Sequence, residues 1–330
     1  MKNSLQKKDF KKTMPVISAV IPVFNEQENL QGLKAELSTA LAGMNIPHEI
    51  IWIDDGSSDG SFGELRKFAV EPGQMVLRLS KNYGQTAALA AGIAAARGEW
   101  IVTLDADGQN DPEDIPRLFA AAASGTDVVS GWRRNRREAF FPRILPSRAA
   151  NFIISAVTGV KLHDFGCTLK IYRASLLKAV DLYGEMHRFL PAILGYAGAS
   201  ITELEVNHRP RVAGKSKYGI TRTFKVVLDL FTVKFMGDFI TKPIYLFGGL
   251  SLALLTASGL MAAWTLYNKF FSGIFVKDQP LFLVAIFFAL VAVQFAFMGL
   301  MTEVLIRTYH SANRKPPYTV AEMVGEGCKD

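Results

Sequence analysis

Apolar and polar residues alternate in blocks along the first 130 residues of the chain. Short apolar runs predict strands over 16–24, 48–56, 75–80, 99–107 and 127–133. Segments with helical spacing separate them, over 29–44, 61–69, 84–98 and 111–125. Strands and helices that alternate at this spacing predict an α/β domain with a mostly parallel sheet and helices on both faces.

Polar and charged side chains follow each of the five predicted strands. In sheets of this kind, ligands bind beyond the carboxyl ends of the strands, where these side chains would converge on one crevice. The residues are Asn25 and Glu26, Asp54 and Asp55, Lys81 and Asn82, Asp105 and Asp107, and Arg133. Five strand ends that meet at one place indicate a binding site more strongly than any single motif.

Two long uncharged segments lie near the C-terminus. One runs for 25 residues, Pro243 to Tyr267, and the other for 24, Gln279 to Thr302. As a helix, each would span ~36 Å, against ~30 Å of bilayer hydrocarbon. Eleven residues join them, 268–278, which predicts a transmembrane hairpin. A pair of buried core helices is the alternative, but such helices are usually shorter and carry a polar face.

The pattern divides the chain into five segments. A basic tail (1–15) precedes the α/β domain (16–222), an amphipathic juxtamembrane segment (223–242), the hairpin (243–302, with spans 243–267 and 279–302) and a C-terminal tail (303–330). Six basic residues flank the outer ends of the hairpin and two lie in its loop, which favours a cytosolic domain and cytosolic termini. No apolar signal segment follows the basic start. A multi-pass protein of the cytoplasmic membrane is therefore expected.

The net charge of +7 fits an anionic membrane surface. Nucleic acid is the rival explanation, but the sequence has no basic stripe interleaved with aromatics and no known reader motif. Cys167 and Cys328 are the only cysteines, without metal-thiolate spacing, and a disulfide is not expected in the cytosol. Cys167 is interpreted as a packing residue, and His163, His187 and His208 as structural.

The acidic stretch after the fourth predicted strand is the main candidate for chemistry. Asp105 and Asp107 are two residues apart, which in a strand places both side chains on one face. Hard carboxylate oxygens suit Mg²⁺ or Mn²⁺, and Gln109 is a candidate third ligand. The alternative is a polar turn that happens to contain two aspartates, since Asp-x-Asp alone is a weak signal.

A second acidic motif, Ile53–Ser61, follows the second predicted strand. Asp54 and Asp55 are candidates for reading a ribose or a base edge. Asp and Ser are also good N-caps, so a turn that caps the next helix is the alternative.

The motifs IPVFNE, DDGSSDGS, NYGQTAAL, LDADGQ and SGWR, in this order, resemble glycosyltransferase family 2, inverting transferases with the Rossmann-like GT-A fold that use nucleotide sugars. Two later stretches, 163–173 and 211–219, followed by two spans, resemble the polyprenyl-phosphate glycosyltransferases of that family. These include dolichyl-phosphate mannose synthase and the undecaprenyl-phosphate transferases for glucose or aminoarabinose. The resemblance covers about residues 16–309.

The resemblance implies a role for each matched residue. Nucleotide-sugar contacts fall on Pro22, Glu26, Asp54, Asp55 and Asp105, and the divalent cation on Asp105, Asp107 and Gln109. Where the family usually has a hydrophobic residue before that glutamine, this chain has Gly108, which would loosen the loop.

The acceptor side follows from the same resemblance. Arg133 and Arg211 would hold the lipid phosphate, Ser216 and Lys217 belong to a flexible acceptor loop, and Asp164 lies in the acceptor motif. Asp164 could orient the acceptor, take a residual proton or be simply structural. Segments 133–157 and 223–240 mix basic and apolar residues, which favours interfacial segments; for 133–157 the alternative is a loop and a core helix with solvated arginines.

These features together predict transfer of one sugar, from a UDP-sugar rather than a GDP-sugar, to polyprenyl phosphate for cell-envelope glycan or lipid modification. Relatives of this type assemble through their membrane helices, so a homo-oligomer such as a tetramer is expected. Two alternatives stay open. One is a processive polysaccharide synthase, although no Gln-x-x-Arg-Trp motif is present, and the other is a non-catalytic membrane partner that binds nucleotide sugars.

Overall fold

The computed structural model describes residues 14–134, 151, 154–155, 158–182, 184, 186–210, 243–311 and 316–325. The strands are β1 (Ile17–Val23), β2 (His48–Asp54), β3 (Gln74–Leu79), β4 (Trp100–Thr103), β5 (Val128–Trp132), β6 (Lys170–Arg173), β7 (Ile201–Glu205) and β8 (Val320–Gly325). The α-helices are α1 (Gln27–Gly43), α2 (Ser61–Phe68), α3 (Gln85–Ala95), α4 (Ile115–Ala123), α5 (Ala174–Leu177), α6 (Leu190–Tyr196), α7 (Pro243–Phe271) and α8 (Pro280–Ser311). Short 3-10 helices cover Pro112–Asp114, Met186–Arg188 and Val276–Asp278.

All eight strands form one sheet in the order β7-β5-β6-β4-β1-β2-β3-β8. The pairs β1–β2, β1–β4, β2–β3 and β5–β7 are parallel. The pairs β3–β8, β4–β6 and β5–β6 are antiparallel. The predicted α/β sheet is confirmed, and its parallel centre is the part that the strand–helix alternation predicted. The antiparallel strands β6 and β8 were not predicted.

Residue parity along β1 decides which helices cover each face of the sheet. Ile17 and Ile21 are fully buried in the core that side chains of α1, α2 and α4 complete. Val20, of opposite parity, faces α3. A Cβ on Gly92 of α3 would lie 2.4 Å from Val20 Cγ1 and 2.6 Å from Ile53 Cδ1, so this glycine permits the close approach of helix and sheet. Helices therefore cover both faces, as predicted.

The helices α7 and α8 pack against each other as a hairpin. The segments Leu246–Phe271 and Pro280–Thr302 are long and apolar enough to cross a membrane. Only 6% and 11% of their most apolar windows are buried, unlike the core helices of a soluble protein, so the core-helix alternative is disfavoured.

Polar contacts join the two hairpin helices. The Ser258 hydroxyl donates to the Ala285 carbonyl at 2.7 Å. The Gln279 side-chain amide donates to the Thr265 carbonyl at 3.2 Å and to the Ile274 carbonyl at 3.1 Å. The Gln279 side chain therefore links the last turns of α7 and the connecting turn to the start of α8.

The chain divides into two compact units. One comprises Met1–Val233 together with Pro316–Asp330, and the other Lys234–Lys315. The segment 303–330, expected as a tail, contributes the end of α8 and the strand β8, which belongs to the unit that holds the sheet. The juxtamembrane segment 223–242 and all but the last residues of the basic tail lie outside the described residues, so these boundaries stay predictions.

Candidate active site

The Asp-x-Asp motif lies in the turn after β4. The strand ends at Thr103, so the expectation that strand geometry places both carboxylates on one face was wrong. Asp107 Oδ1 accepts the backbone N–H of Gln109 at 3.1 Å, and this local bond turns the chain away from the sheet. Gly108 has a φ of +71°, which glycine adopts without steric cost. The departure from the family pattern therefore suits this turn.

Asp105 is held by neighbours from two other parts of the chain. The Gln85 side-chain amide, at the start of α3, donates to Asp105 Oδ1 at 2.6 Å. The Thr168 hydroxyl forms a further hydrogen bond with Asp105. Burial, reinforced by the negative charge of Asp107, raises the pKa of Asp105 to about 6. Two neighbouring carboxylates form an environment that a divalent cation would neutralise.

The donor set fits a hard divalent cation that shares its ligands with a substrate. Asp107 is 7% exposed, Asp105 is half-buried and Gln109 is half-buried beside them. No group of three or more His, Cys, Asp or Glu side chains gathers as a metal site within the described residues. The protein thus offers two carboxylates and one amide oxygen. Mg²⁺ is commonly bound in this way, by one or two carboxylates plus substrate phosphates and water.

Asp55 fixes the loop that connects β3 to α3. Its Oδ1 accepts the backbone N–H of Tyr83 and its Oδ2 that of Gly84, both at 2.8 Å. Burial raises the pKa of Asp55, while these two hydrogen bonds act in the opposite direction. A Cβ on Gly56 would lie 2.5 Å from the Lys81 carbonyl carbon, so the two loops are in direct contact.

Asp54 is fully buried at the end of β2. Its Oδ1 accepts the backbone N–H of Ser57 at 3.1 Å, which confirms a turn at this motif. Its Oδ2 lies 3.5 Å from Arg78 Nε on β3. The alternative that a serine of this motif caps the next helix was wrong, because the N-cap of α2 is Gly60 and no side chain caps it. Ser57 and Ser61 instead accept backbone N–H groups of the loop after β1.

The loop after β1 is tied to the second acidic motif. The Asn25 side-chain oxygen accepts the backbone N–H of Ser58 at 2.8 Å, and Asn25 itself has a φ of +53°. Glu26 Oε2 accepts the side-chain amide of Asn29 at 2.7 Å. Pro22 lies in β1 beside Ile53 of β2. The residues predicted to contact the nucleotide from the first two strands thus lie together at the carboxyl ends of β1 and β2.

Arg133 and Asp164 form a two-point ion pair. Arg133 Nε lies 2.8 Å from Asp164 Oδ2, and Arg133 Nη2 lies 3.1 Å from Oδ1. Asp164 is 2% exposed. Burial opposes the positive charge of Arg133, but the surrounding negative groups, Asp164 foremost, together raise the pKa of the guanidinium. The two residues predicted for the acceptor side are therefore held together.

Glu203 on β7 holds the backbone of the loop that carries Asp164. Its carboxylate accepts the backbone N–H groups of His163 at 3.0 Å and of Asp164 at 2.9 Å. His163 stacks on Trp132, with ring centroids 4.3 Å apart, and its Nδ1 lies 2.8 Å from Glu203 Oε2. His163 is thus tied to the loop of Asp164, which fits its predicted structural role.

A buried lysine that the sequence analysis did not single out lies beneath the site. Lys170 is 2% exposed, and its ammonium group donates to the Phe165 carbonyl at 3.0 Å and to the Cys167 carbonyl. Burial lowers the pKa of Lys170. Thr168, in the same loop, accepts the side-chain amide of Asn110 at 2.7 Å. This loop therefore joins the Asp105 turn to the Arg133–Asp164 pair.

Gln85 and Lys170 are the contacts that sequence reasoning missed. Gln85 stands in the NYGQTAAL motif that carried the resemblance, but only the fold shows that its amide meets Asp105.

Cys167 is fully buried, as a packing residue should be. His187, interpreted as structural, shares a 2.7 Å hydrogen bond with the Thr86 hydroxyl. Arg211, Ser216, Lys217 and most of segment 133–157 lie outside the described residues.

Comparisons with known proteins bear on the family to which the chain belongs. Residues 18–181 match the family model Glycosyl transferase family 2. The chain is 41% identical over 314 residues to a dodecaprenyl-phosphate galacturonate synthase of Rhizobium johnstonii, covering 93% of this chain and 92% of that protein. It is 36% identical over 313 residues to an undecaprenyl-phosphate 4-deoxy-4-formamido-L-arabinose transferase of Serratia proteamaculans, covering 94% of each. The chain belongs to glycosyltransferase family 2.

Solved structures share the fold of the domain at lower identity. Glucosyl-3-phosphoglycerate synthase from Mycobacterium tuberculosis, in complex with Mn²⁺, UDP-glucose and phosphoglyceric acid, aligns with a TM-score of 0.52 at 18% identity, over 68% of this chain and 81% of that chain. Mannosyl-3-phosphoglycerate synthase from Rubrobacter xylanophilus aligns with a TM-score of 0.53 at 16% identity, over 68% and 75%. These similarities confirm the GT-A-like fold that the resemblance implied.

Proposed function

We propose that this enzyme transfers one sugar from a nucleotide sugar to polyprenyl phosphate, with inversion at the anomeric carbon. One observation carries the proposal: consecutive residues of a single loop bind both acidic motifs. Tyr83 and Gly84 donate to Asp55, and Gln85 donates to Asp105. A nucleoside contact and a diphosphate contact must be a fixed distance apart to hold one donor. The names of the two relatives reported above support polyprenyl phosphate as the acceptor.

Asp105 and Asp107, with Gln109, are proposed to bind Mg²⁺ or Mn²⁺ together with the donor diphosphate. The cation offsets the charge that develops on the leaving nucleoside diphosphate. Asp54, Asp55, Pro22 and Glu26 form the nucleoside side. A UDP-sugar is proposed over a GDP-sugar, in line with the UDP-glucose complex of the similar fold. The named relatives act on different sugars, so the experiment below tests the sugar directly.

Arg133 is proposed to bind the acceptor phosphate, together with Arg211. Two of its nitrogens contact Asp164, and the guanidinium fork carries further N–H donors that suit a phosphate. A phosphate oxygen attacks the anomeric carbon, the bond from that carbon to the diphosphate oxygen breaks, and the electron pair leaves with the diphosphate. The phosphate is already largely anionic near pH 7, because its second pKa is about 6. No strong base is needed, so Asp164 is assigned the positioning of Arg133.

The hairpin is proposed to anchor the domain at the cytoplasmic membrane, where the lipid acceptor lies. The strand β8 follows the hairpin in the chain, and its pairing partner β3 precedes the hairpin. A sheet is one continuous body, so the chain must return to its starting side, as two membrane crossings require. Cytosolic termini follow from the excess of basic residues outside the hairpin loop. Assembly into a homo-oligomer such as a tetramer stays a prediction.

The test uses the full-length protein in detergent with undecaprenyl phosphate and either Mg²⁺ or Mn²⁺. Single UDP-sugars, UDP-galacturonate among them, and GDP-sugars are offered in turn, and mass spectrometry measures the lipid. We expect the mass to rise by one sugar with one UDP-linked donor, and EDTA to abolish the gain. Lipid of unchanged mass with every donor would overturn the proposal. A ladder of masses would favour a processive synthase.

A further inference from the structure

The last described segment of the chain completes the sheet beside the proposed nucleotide site. The strand β8 pairs with β3 in an antiparallel register that joins Met75 to Gly325 and Arg78 to Glu322. Without β8, β3 would be an edge strand with one row of unpaired backbone groups. Gly325 ends the pairing with a φ of +114°, and a Cβ there would lie 2.4 Å from the Gln74 carbonyl oxygen. The contact of β8 with β3 is thus closely fitted.

Thr319, which leads into β8, contacts the loop after β3. The backbone N–H of Ser80 donates to the Thr319 carbonyl at 3.0 Å. The Tyr83 hydroxyl lies 3.0 Å from the Ser80 hydroxyl, and it also hydrogen-bonds with Thr319. The tip of the Tyr83 side chain is therefore anchored to the segment that follows the hairpin.

The main chain of the same tyrosine binds the nucleotide motif. Tyr83 donates its backbone N–H to Asp55 Oδ1 at 2.8 Å, and Gly84 donates to the other oxygen. Tyr83 thus connects Thr319 to Asp55 through one residue. The next residue, Gln85, binds Asp105. A displacement of this loop would alter both acidic motifs.

A second connection runs through β3 itself. Glu322 of β8 is the register partner of Arg78, so both side chains lie on the same face of the sheet. Arg78 Nε lies 3.5 Å from Asp54 Oδ2, and its guanidinium packs over the Phe62 ring at 4.3 Å. Glu322 Oε1 lies 3.3 Å from Arg66 of α2. The strand β8 therefore adjoins the surroundings of Asp54 as well as those of Asp55.

We propose that Thr319 and β8 help to position the donor nucleotide. They act through Tyr83 on Asp55 and through Arg78 on Asp54. The inference rests on the proposed function, because it assigns these aspartates to the nucleotide. The chain reaches β8 only after both hairpin helices, so a protein that ends before Thr319 would lack this part of the nucleotide side. Neither Thr319 nor Tyr83 touches the reacting atoms in this proposal.

The test compares full-length Thr319→Val, Tyr83→Phe and the double variant with the wild type. Donor KM, acceptor KM and kcat are measured, and UDP is titrated as a probe of nucleotide binding. We expect the donor KM and the UDP Kd to rise roughly threefold to tenfold, as loss of one hydrogen bond predicts. Acceptor KM and kcat should stay within about twofold, since neither side chain is placed near the acceptor. The double variant should resemble Tyr83→Phe, because that change already removes the contact of the Tyr83 hydroxyl with Thr319.

Two further variants keep the outcome decisive. Thr302→Val is the matched control, since the Thr302 hydroxyl donates within its own helix, to the Met298 carbonyl at 2.7 Å. Truncation after residue 318 removes Thr319 and β8, whereas truncation after residue 325 retains them. Unchanged UDP Kd in both point variants would overturn the inference, and so would an equal loss in every kinetic constant. Wild-type protein that binds UDP without modifying the lipid would overturn the proposed function alone.

Discussion

Gln85 donates its side-chain amide to Asp105 Oδ1 at 2.6 Å, and thereby joins the start of α3 to the Asp-x-Asp turn. The residues just before Gln85 bind Asp55 by their backbone N–H groups. The loop 83–85 therefore sets the spacing of the two acidic motifs. Under the proposed function, these residues would hold the nucleoside end and the diphosphate end of one donor in a fixed relation.

Gln85→Ala should weaken the enzyme without unfolding it. The change removes a hydrogen bond to a charged group, which typically contributes about 1.5–3 kcal/mol, so kcat/KM should fall roughly tenfold or more. Steady-state kinetics with the donor varied measures this. Gln31→Ala is the matched control, because Gln31 makes the same kind of bond, to Glu64 at 3.0 Å, on the exposed surface. Equal kinetics for both variants would exclude a role for Gln85 in the site.

Asp107→Asn should remove most of the activity that divalent cations support. A carboxylate that binds the cation stabilises the transition state by several kcal/mol, so kcat should fall by on the order of a thousandfold. The measurement is activity against Mn²⁺ concentration. Glu113→Gln, an exposed residue of the same acidic stretch, should behave as the wild type. An Asp107→Asn enzyme with wild-type kcat at saturating Mn²⁺ would contradict the metal assignment.

Asp164→Asn should impair the acceptor side more than the donor side. Removing one partner of a buried ion pair costs about 3–5 kcal/mol, because the remaining charge is left uncompensated. We expect a higher acceptor KM and a lower melting temperature, with the donor KM little changed. A cycle of Asp164→Asn and Arg133→Lys should be strongly non-additive.

The neighbouring arginine provides the control for this pair. Arg134 lies 2.7 Å from Glu205, and both side chains are largely exposed. Surface pairs contribute about 0–1 kcal/mol, so Arg134→Lys should change stability little. If Asp164→Asn were as mild as Arg134→Lys, the buried pair would not have the importance assigned to it.

Cys167 should resist alkylation in the native protein. Burial raises the pKa of its thiol, with a smaller opposing effect from the charge of Arg133. The thiolate is the reactive form, so a raised pKa lowers its fraction at every pH below that pKa, and reaction should accelerate only on unfolding. Iodoacetamide labelling of a Cys328→Ser variant, which leaves Cys167 as the only cysteine, measures this. Native labelling as fast as that of the unfolded protein would contradict the burial.

The parallel centre of the sheet could be predicted because its strands are continuous apolar runs between amphipathic helices. The strand β8 could not be, because Val320–Gly325 is short, shows no regular alternation of apolar and polar residues, and pairs only with the distant strand β3. The residues of the Asp-x-Asp motif could be identified from the sequence, but their backbone conformation, a turn rather than a strand, could not be predicted. The strand ends at Thr103, and the bond from Gln109 to Asp107 belongs to the turn that follows, where such local bonds compete with strand pairing.

Contacts across the site were the least predictable part. Arg133 and Asp164 were assigned separate roles, and nothing in a spacing of 31 residues indicates that they pair. Lys170 stands in a short apolar run, where a lysine is expected to be exposed. Its burial is explained by the fold, in which the carbonyls of Phe165 and Cys167 accept hydrogen bonds from its ammonium group.

The most direct test of the central claim measures nucleotide release and lipid mass in the same reaction. Full-length enzyme, undecaprenyl phosphate, the active donor and Mn²⁺ are sampled over time, with UDP and lipid quantified from each sample. The account predicts one UDP released for each lipid that gains one sugar, and no heavier product. UDP release without a matching gain in lipid mass would contradict it.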